Sequence, residues 1–387
     1  MSELSDYERA CILFSVCCEP GDEAAGLLRS VVGTSEAAKL VLDADKHKLL
    51  SALFDSGGAD LATSRFGDFR RTYSDSLERW LPRIDSAQLK SLYDSVASGR
   101  FHIVTDQDLH WPRALTDLGY ATPPVLWVAG QKETLSASAL SIALVGSRAA
   151  TNYGQWVTGE LVTEIIQRNH VVVSGGAYGI DAIAHRAALM SSGKTIAVLA
   201  GGIDRLYPTG NQELFDRMMV DSLVVAELPP GSSPTKWRFL QRNRLIAALG
   251  RATVVVEAGW RSGSINTANH ASGLGRVVGA VPGAVTAASS AGCHRLIRES
   301  VAELVTCGAD IFELLGDTEL NLDFSTGNGV LELRVRDFLT SQFEPLERVA
   351  LKAGTTPHET NLALTSLELQ GIAQSSYSRW RLAGSNL

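Results

Sequence analysis

The spacing of apolar positions changes twice along the chain, and each change predicts a different kind of structure. Up to about residue 98 apolar residues recur three and four apart, as in Ala24-Leu27-Leu28-Val31-Val32 and Leu89-Leu92-Tyr93-Val96. That spacing predicts amphipathic helices, interrupted at Pro20 and at Gly57-Gly58. Phe101-His102-Ile103-Val104 then reads as a strand. Tyr120-Ala121-Thr122-Pro123-Pro124 reads as a loop, because paired prolines forbid helix.

From 140 to about 315 the pattern becomes short apolar runs: Ile142–Val145, Val171–Ser174, Thr195–Leu199, Leu223–Ala226, Thr253–Val256 and Val277–Val281. They are nearly continuous and rich in β-branched residues, which marks strands covered on both faces of a parallel sheet. Amphipathic stretches such as Trp156–Ile166 and Asp181–Met190 lie between them. This rhythm predicts an open, doubly wound α/β sheet. Such sheets bind ligands beyond the carboxyl ends of their strands, near the topological switch point. Function is therefore sought in the turns after the strands.

The third pattern comes after a polar, Gly-containing linker at 317–329. Val330–Thr340, Leu346–Ala353 and Pro357–Gln370 read as short helices, with Gly354 before the third. Ile372–Ser375 and Tyr377–Arg381 suit a two-stranded wing, the outline of a winged helix-turn-helix. Its third helix carries Asn361, Thr365 and Glu368 among leucines and few bases. A protein-contact role is thus at least as well supported as DNA readout. The expected layout is a helical domain at 1–98, a lead-in at 99–139, the α/β core at 140–316, the linker, and a winged-helix-like domain at 330–387.

Composition narrows the class. With 45% hydrophobic and 20% charged residues, the 387-residue chain is globular rather than disordered. No apolar stretch reaches about 18 residues, so no membrane span is expected. The N-terminus lacks the basic flank and apolar core of a signal peptide. Cys11, Cys17, Cys18, Cys293 and Cys307 are scattered without a CxxC pair, against a zinc ribbon or a disulfide framework. A reducing cytoplasm is expected. The net charge of -7 conceals a gradient: 14 basic against 20 acidic side chains in 1–139, 15 against 13 in 140–315, and 6 against 9 in 316–387. The middle segment is where an anion would sit.

The turns after the strands carry the candidate chemistry. Gly146-Ser147-Arg148 comes after the first strand and opens a helix, so free amides and a guanidinium can meet phosphate. Ser174-Gly175-Gly176-Ala177-Tyr178-Gly179-Ile180-Asp181 ends the second, and its three glycines could cradle phosphate with their amides. Gly201-Gly202-Ile203-Asp204 with Tyr207-Pro208 lies after the third. Glu257 and Gly259-Trp260-Arg261-Ser262-Gly263-Ser264 lie after the fifth, in a helix start running through Thr267. The densest basic run is Lys236-Trp237-Arg238-Phe239-Leu240-Gln241-Arg242-Asn243-Arg244. Its cations suit backbone phosphates and its aromatics suit unpaired bases; the competing reading makes Trp237 and Phe239 core residues beneath a solvated basic face. GxGxxG and GxxxxGK[ST] are absent, which disfavours NAD and P-loop chemistry. No metal site and no cofactor are expected. Asp181 and His185, four apart on one helix, read as a structural pair that orients the loop, with a catalytic pair as the alternative.

Together these motifs resemble the DprA/Smf DNA-processing family. The resemblance rests on Val145-Gly146-Ser147-Arg148 with Tyr153-Gly154, on Ser174–Asp181 with Ala184-His185, and on Gly193-Lys194-Thr195-Ile196-Ala197-Val198. Gly202-Ile203-Asp204 with Tyr207-Pro208, Phe239 with Arg242-Asn243-Arg244 and Ile246, Glu257, Ser262-Gly263-Ser264 with Thr267-Ala268, and Val281-Pro282-Gly283 continue it over roughly 100–315. It implies a cytoplasmic bacterial mediator that binds single-stranded DNA and loads the recombinase RecA in natural transformation or related recombination. It also implies a Rossmann-like doubly wound core, a SAM-like helical domain at 1–98, a homodimer formed through the core, and no chemical turnover. The implied strand-binding residues are Gly146, Ser147, Arg148, Ser174, Gly175, Gly176, Gly179, Asp181, Lys236, Phe239, Arg242, Asn243, Arg244, Ser262, Gly263, Ser264 and Thr267. Tyr178 stands where the family usually has Arg, and Leu240 where it usually has Pro. The alternative is a nucleotide phosphoribohydrolase, which would need a PGGxGT loop with a catalytic Glu. Here Gly175-Gly176 precedes Ala177-Tyr178-Gly179, and Glu257 lacks the matching context. A third reading, a structural adaptor, would bind no nucleic acid.

Overall fold

The computed structural model describes residues 3–317, 329–369, 371–377 and 379–383. Internal packing divides the chain into one unit at 1–316 and a second at 317–387. The linker expected at 317–329 lies, but for its end residues, outside the described residues, as do Gln370 and Ser378 of the expected third helix and wing.

The first unit opens with seven helices: α1 (Asp6–Cys17), α2 (Glu23–Val32), α3 (Thr34–Leu42), α4 (Lys46–Asp55), α5 (Gly58–Phe66), α6 (Phe69–Trp80) and α7 (Ser86–Ala97). Their acidity has a local cause. Asp22, Asp45, Asp68 and Asp85 cap α2, α4, α6 and α7 by accepting backbone N–H bonds, which satisfies orphan donors at the positive end of each helix. These helices do not form a separate core. One buried cluster runs from Phe14, Leu27 and Leu28 through Val125 and Trp127 to Phe215 and Met218.

The sheet has nine strands: β1 (His102–Val104), β2 (Leu126–Gly130), β3 (Ser141–Val145), β4 (Val171–Ser174), β5 (Thr195–Leu199), β6 (Leu223–Ala226), β7 (Ala252–Val255), β8 (Val277–Ala280) and β9 (Glu303–Leu304). Their order is β1-β2-β6-β5-β4-β3-β7-β8-β9. β3 to β9 are parallel, while β2 pairs antiparallel with β6 and β1 with β2. Six of the strands coincide with the apolar runs to within a residue. β2 and β9 went unread: β2 lies directly after the paired prolines, and β9 is two residues long.

Helices α8 (Asn152–Gln167), α9 (Ile180–Met190), α10 (Gln212–Asp221), α11 (Lys236–Leu249), α12 (Gly263–Gly273), α13 (Ala291–Arg298) and α14 (Gly308–Leu314) cover the sheet. Ile142 and Leu144 of β3 pack with residues of α8, α9 and α14. Ala143 and Val145 pack with residues of α11 and α12 on the other face. Burial of both sets explains the continuous apolar runs. The chain winds outward from β3 through β4, β5 and β6, then returns to β7 beside β3 and winds the other way. The switch point thus lies between the ends of β3 and β7.

The second unit contains α15 (Val330–Arg336), α16 (Leu346–Ala353), α17 (Pro357–Leu369) and a sheet of order β10-β12-β11, from Glu344–Pro345, Arg379–Leu382 and Ala373–Ser376. The third strand, β10, was not expected. Val349, Leu364, Leu367 and Trp380 form its own core.

Candidate nucleic-acid interface

A groove of about 920 Å³ lies over the switch point, walled by the turn after β3, the opening of α11 and the opening of α12. Gly146, Ser147 and Arg148 form one wall, and Ser262, Gly263, Ser264 and Thr267 another. Lys236, Phe239, Arg242 and Asn243 of α11 line it between them, with Asp181. Two helix N-termini, at Thr235-Lys236 and at Ser262-Gly263, therefore face it, and both favour an anion. Its lining carries Arg148, Lys236, Arg242 and Arg261 against the single acid Asp181.

The exposed part of this charge comes from the rim. Arg148 is exposed and lies 5.2 Å from the ring of Phe239. No carboxylate among the described residues is paired with it. Tyr207 meets the same Phe239 ring at 5.7 Å between centroids. Phe239 is half-buried and Trp237 is 57% exposed, so the competing reading that put both in the core is reversed.

The cations of the basic run were expected to be solvent-facing, and most are not. Arg242 is buried on the groove floor and donates from Nη1 to the carbonyls of Gly175 (2.7 Å) and Val198. Burial lowers its pKa to about 10, against the opposing pull of Asp181 and with a further push from Arg148. Arg238 is half-buried and forms a two-pronged pair with Glu19, at 3.0 and 2.8 Å. Arg244 lies outside the groove: its Nη2 donates to Glu227 at 2.5 and 2.6 Å, and its Nη1 to the Ala121 carbonyl at 2.7 Å. Burial pushes the Glu227 carboxyl above its ordinary range while Arg244 works to lower it. Helical periodicity is the reason. On α11 residues three apart, Phe239 and Arg242, share the groove face, whereas Arg244 lies two positions on and faces away.

The glycine turn after β4 also departs from expectation. Gly175 donates its amide to Asp181 at 3.1 Å, and its carbonyl is taken by Arg242. A Cβ at Gly175 would stand 2.5 Å from the Arg242 guanidinium. Gly176 packs on the ring of Phe215, and Ser174 donates its hydroxyl to the Leu144 carbonyl. Gly179 has φ +75° and lies so close to the Ser147 carbonyl that a Cβ would come within 2.2 Å. None of Ser174, Gly175, Gly176 or Gly179 lines the groove. Glycine permits close packing here.

Asp181 accepts from the amides of Gly175 and Ala177, so it does orient the loop. His185 does so by no bond to Asp181: its Nδ1 pairs with Thr195 Oγ1 at 2.7 Å. Burial lowers the His185 pKa to about 3, helped by the charges of Arg242 and Arg186. Burial raises that of Asp181, against Arg242. Glu257, the acid the phosphoribohydrolase alternative would need, is buried and accepts from the Thr151 amide (2.9 Å) and hydroxyl (2.6 Å). Tyr207, Thr235 and Arg261 line the groove but were not among the expected site residues. Arg261 stands directly before the Ser262-Gly263-Ser264 turn and carries the right charge, so a signal for it existed.

The geometry defines a class first: a doubly wound α/β protein with a cationic groove at its switch point. The family model described as DNA recombination-mediator protein A matches residues 102–316. A putative DNA processing protein DprA of Mycobacterium tuberculosis is 43% identical over 298 residues, 72% of this chain and 76% of that one. The X-ray structure of DprA from Streptococcus pneumoniae is 32% identical with a TM-score of 0.61, covering 81% of this chain and 98% of that one. A structure of DprA from Helicobacter pylori, described for its single-stranded DNA binding mode, is 27% identical with a TM-score of 0.51. It covers 57% of this chain and 98% of that one. The chain belongs to the DprA/Smf family of DNA recombination mediators.

Proposed function

We propose that the protein binds single-stranded DNA in the switch-point groove and acts as a recombination mediator that loads RecA onto the strand, in natural transformation or related recombination. The observation that carries this reading is a groove whose rim holds Arg148, Lys236 and Arg261 beside the Phe239–Tyr207 pair, with one buried acid. Cations neutralise the backbone and aromatic faces stack unpaired bases, which suits a flexible single strand. Membership of the family and the strand-binding relative support it. On this reading Gly146, Ser147, Arg148, Lys236, Phe239, Asn243, Ser262, Gly263, Ser264 and Thr267 contact the strand. Arg242 and Asp181 lie on the groove floor, and the turn after β4 and Arg244 support from behind. A homodimer through the 140–316 core, the helical domain at 1–98 and the winged-helix-like domain at 330–387 belong to the same proposal.

Binding to oligo-dT followed by anisotropy at several salt concentrations tests it. Affinity should fall with salt at a slope of about -0.7 per phosphate contacted. Arg148→Ala and Lys236→Ala should each weaken binding about fivefold and make the slope about 0.7 shallower. Wild-type affinity and slope in both variants would remove the groove from the account.

A further inference from the structure

Exposed tyrosine and tryptophan are distributed unevenly over the first unit. Tyr153, Trp156, Tyr178, Tyr207, Trp237 and Trp260 are each at least 43% exposed, and no other described Tyr or Trp of that unit is exposed. All six lie in the loops that follow the carboxyl ends of strands or in the first five residues of the helices those loops open. The amino edge of the sheet carries none among the described residues. Surface aromatics with a polar atom are the side chains that offer a flat face in water, and such a one-sided distribution marks a surface that meets flat ligands.

Of this set only Tyr207 lines the groove, and Trp260 is one of the five that do not. It comes after β7, directly before the groove residue Arg261, yet is not itself part of the groove lining. It is 52% exposed, and the Arg295 guanidinium lies 5.0 Å from its ring. Arg295 is held there by donating Nη1 to the Trp260 carbonyl at 3.2 Å and by pairing with Glu299 at 3.8 Å. The indole is thus backed by a cation and anchored by its own main chain, with half its surface left to solvent. Beyond it Tyr153 donates its hydroxyl to the Pro282 carbonyl, past the end of β8. From Tyr207 beyond β5 to Pro282 beyond β8 the rim crosses five adjacent strands, four steps of about 4.8 Å or roughly 19 Å.

We infer that Trp260, backed by Arg295, is a stacking station for one unpaired base of a strand that leaves the groove toward the end of β8. This rests on the groove reading above and lengthens its site in one direction. A base laid on the open part of the indole would lie beside Arg261, and Arg295 would add positive charge near its phosphate.

The experiment compares oligo-dT of about 4 nucleotides with oligo-dT of about 20, a range spanning single-module site sizes. Each is titrated against the full chain and its Trp260→Ala, Trp260→Phe, Arg295→Ala and Arg148→Ala variants, with thermal melts to confirm folding. Trp260→Ala should match wild type on the short oligonucleotide and bind the long one about fivefold or more weakly, the lower end of one lost stack. Trp260→Phe should recover most of that loss, and Arg295→Ala should show a smaller loss confined to the long strand. Arg148→Ala should weaken both lengths. Wild-type binding by Trp260→Ala at both lengths, with Arg148→Ala impaired, overturns the stacking station alone. Wild-type binding by Arg148→Ala overturns the groove. An equal loss at both lengths in Trp260→Ala also overturns the station as a site outside the groove.

Discussion

Two sets of cations share one end of this sheet, and they do opposite work. Arg148, Lys236 and Arg261 are exposed at the rim. Arg242 and Arg244 are 6% and 4% exposed and spend their guanidinium groups on carbonyls and on Glu227. The rim set costs little to keep and is available to a ligand. The buried set is costly to desolvate and is held by backbone carbonyls and by Glu227, while Arg244 Nε is buried without a partner. A basic run in sequence is therefore not a basic surface. On α11 the same stretch supplies a groove wall from one face and a buried brace from another.

The contrast predicts different consequences for similar mutations. The largest is for Arg244→Ala, which leaves Glu227 buried without its partner. Unfolding free energy in urea should drop by about 3–5 kcal/mol. A drop under about 1 kcal/mol would mean that the pair braces nothing. The next concerns His185, which burial keeps neutral with help from the charge of Arg242. Its folded pKa of about 3 lies below the ordinary 6.5, so the unfolded state binds more protons and stability falls as pH drops below 6.5. At about 1.4 kcal/mol per unit, wild type should lose roughly 2 kcal/mol relative to His185→Gln between pH 6.5 and 5. Parallel pH profiles would show that His185 protonates freely in the fold. The smallest effect on stability belongs to the rim: Arg148→Ala and Lys236→Ala should each stay within about 0.5 kcal/mol of wild type. A larger loss in either would move that residue from the rim set to the brace.

The two glycine turns repeat the lesson. Gly146-Ser147-Arg148 and Ser174-Gly175-Gly176 look alike as strings, since both put glycine after a buried strand. The first is part of the groove wall. The second is filled from behind by Arg242 and Phe215, which come from helices 67 and 39 residues further along the chain from Gly175 and Gly176. Nothing in the local sequence announces that filling. Arg242 itself reads as a surface cation until its partners are known. Likewise Asp181 and His185 sit four apart on α9, yet one serves the β4 turn and the other Thr195.

Local pattern determined much of the molecule. Six buried strands, the helical first hundred residues and the end of the sheet at which to look are all legible in apolar spacing, because burial on one stripe or on both faces is imposed residue by residue. The order of motifs was enough to indicate the family. Tertiary structure decided which polar groups remain free. A hydrogen bond or ion pair between residues far apart in sequence consumes a donor without leaving a trace in the string around it, and the Arg244–Glu227 and Arg242–Gly175 contacts are of that kind. The packing of helices against strands, rather than the count of charges, sets which cations a ligand can reach.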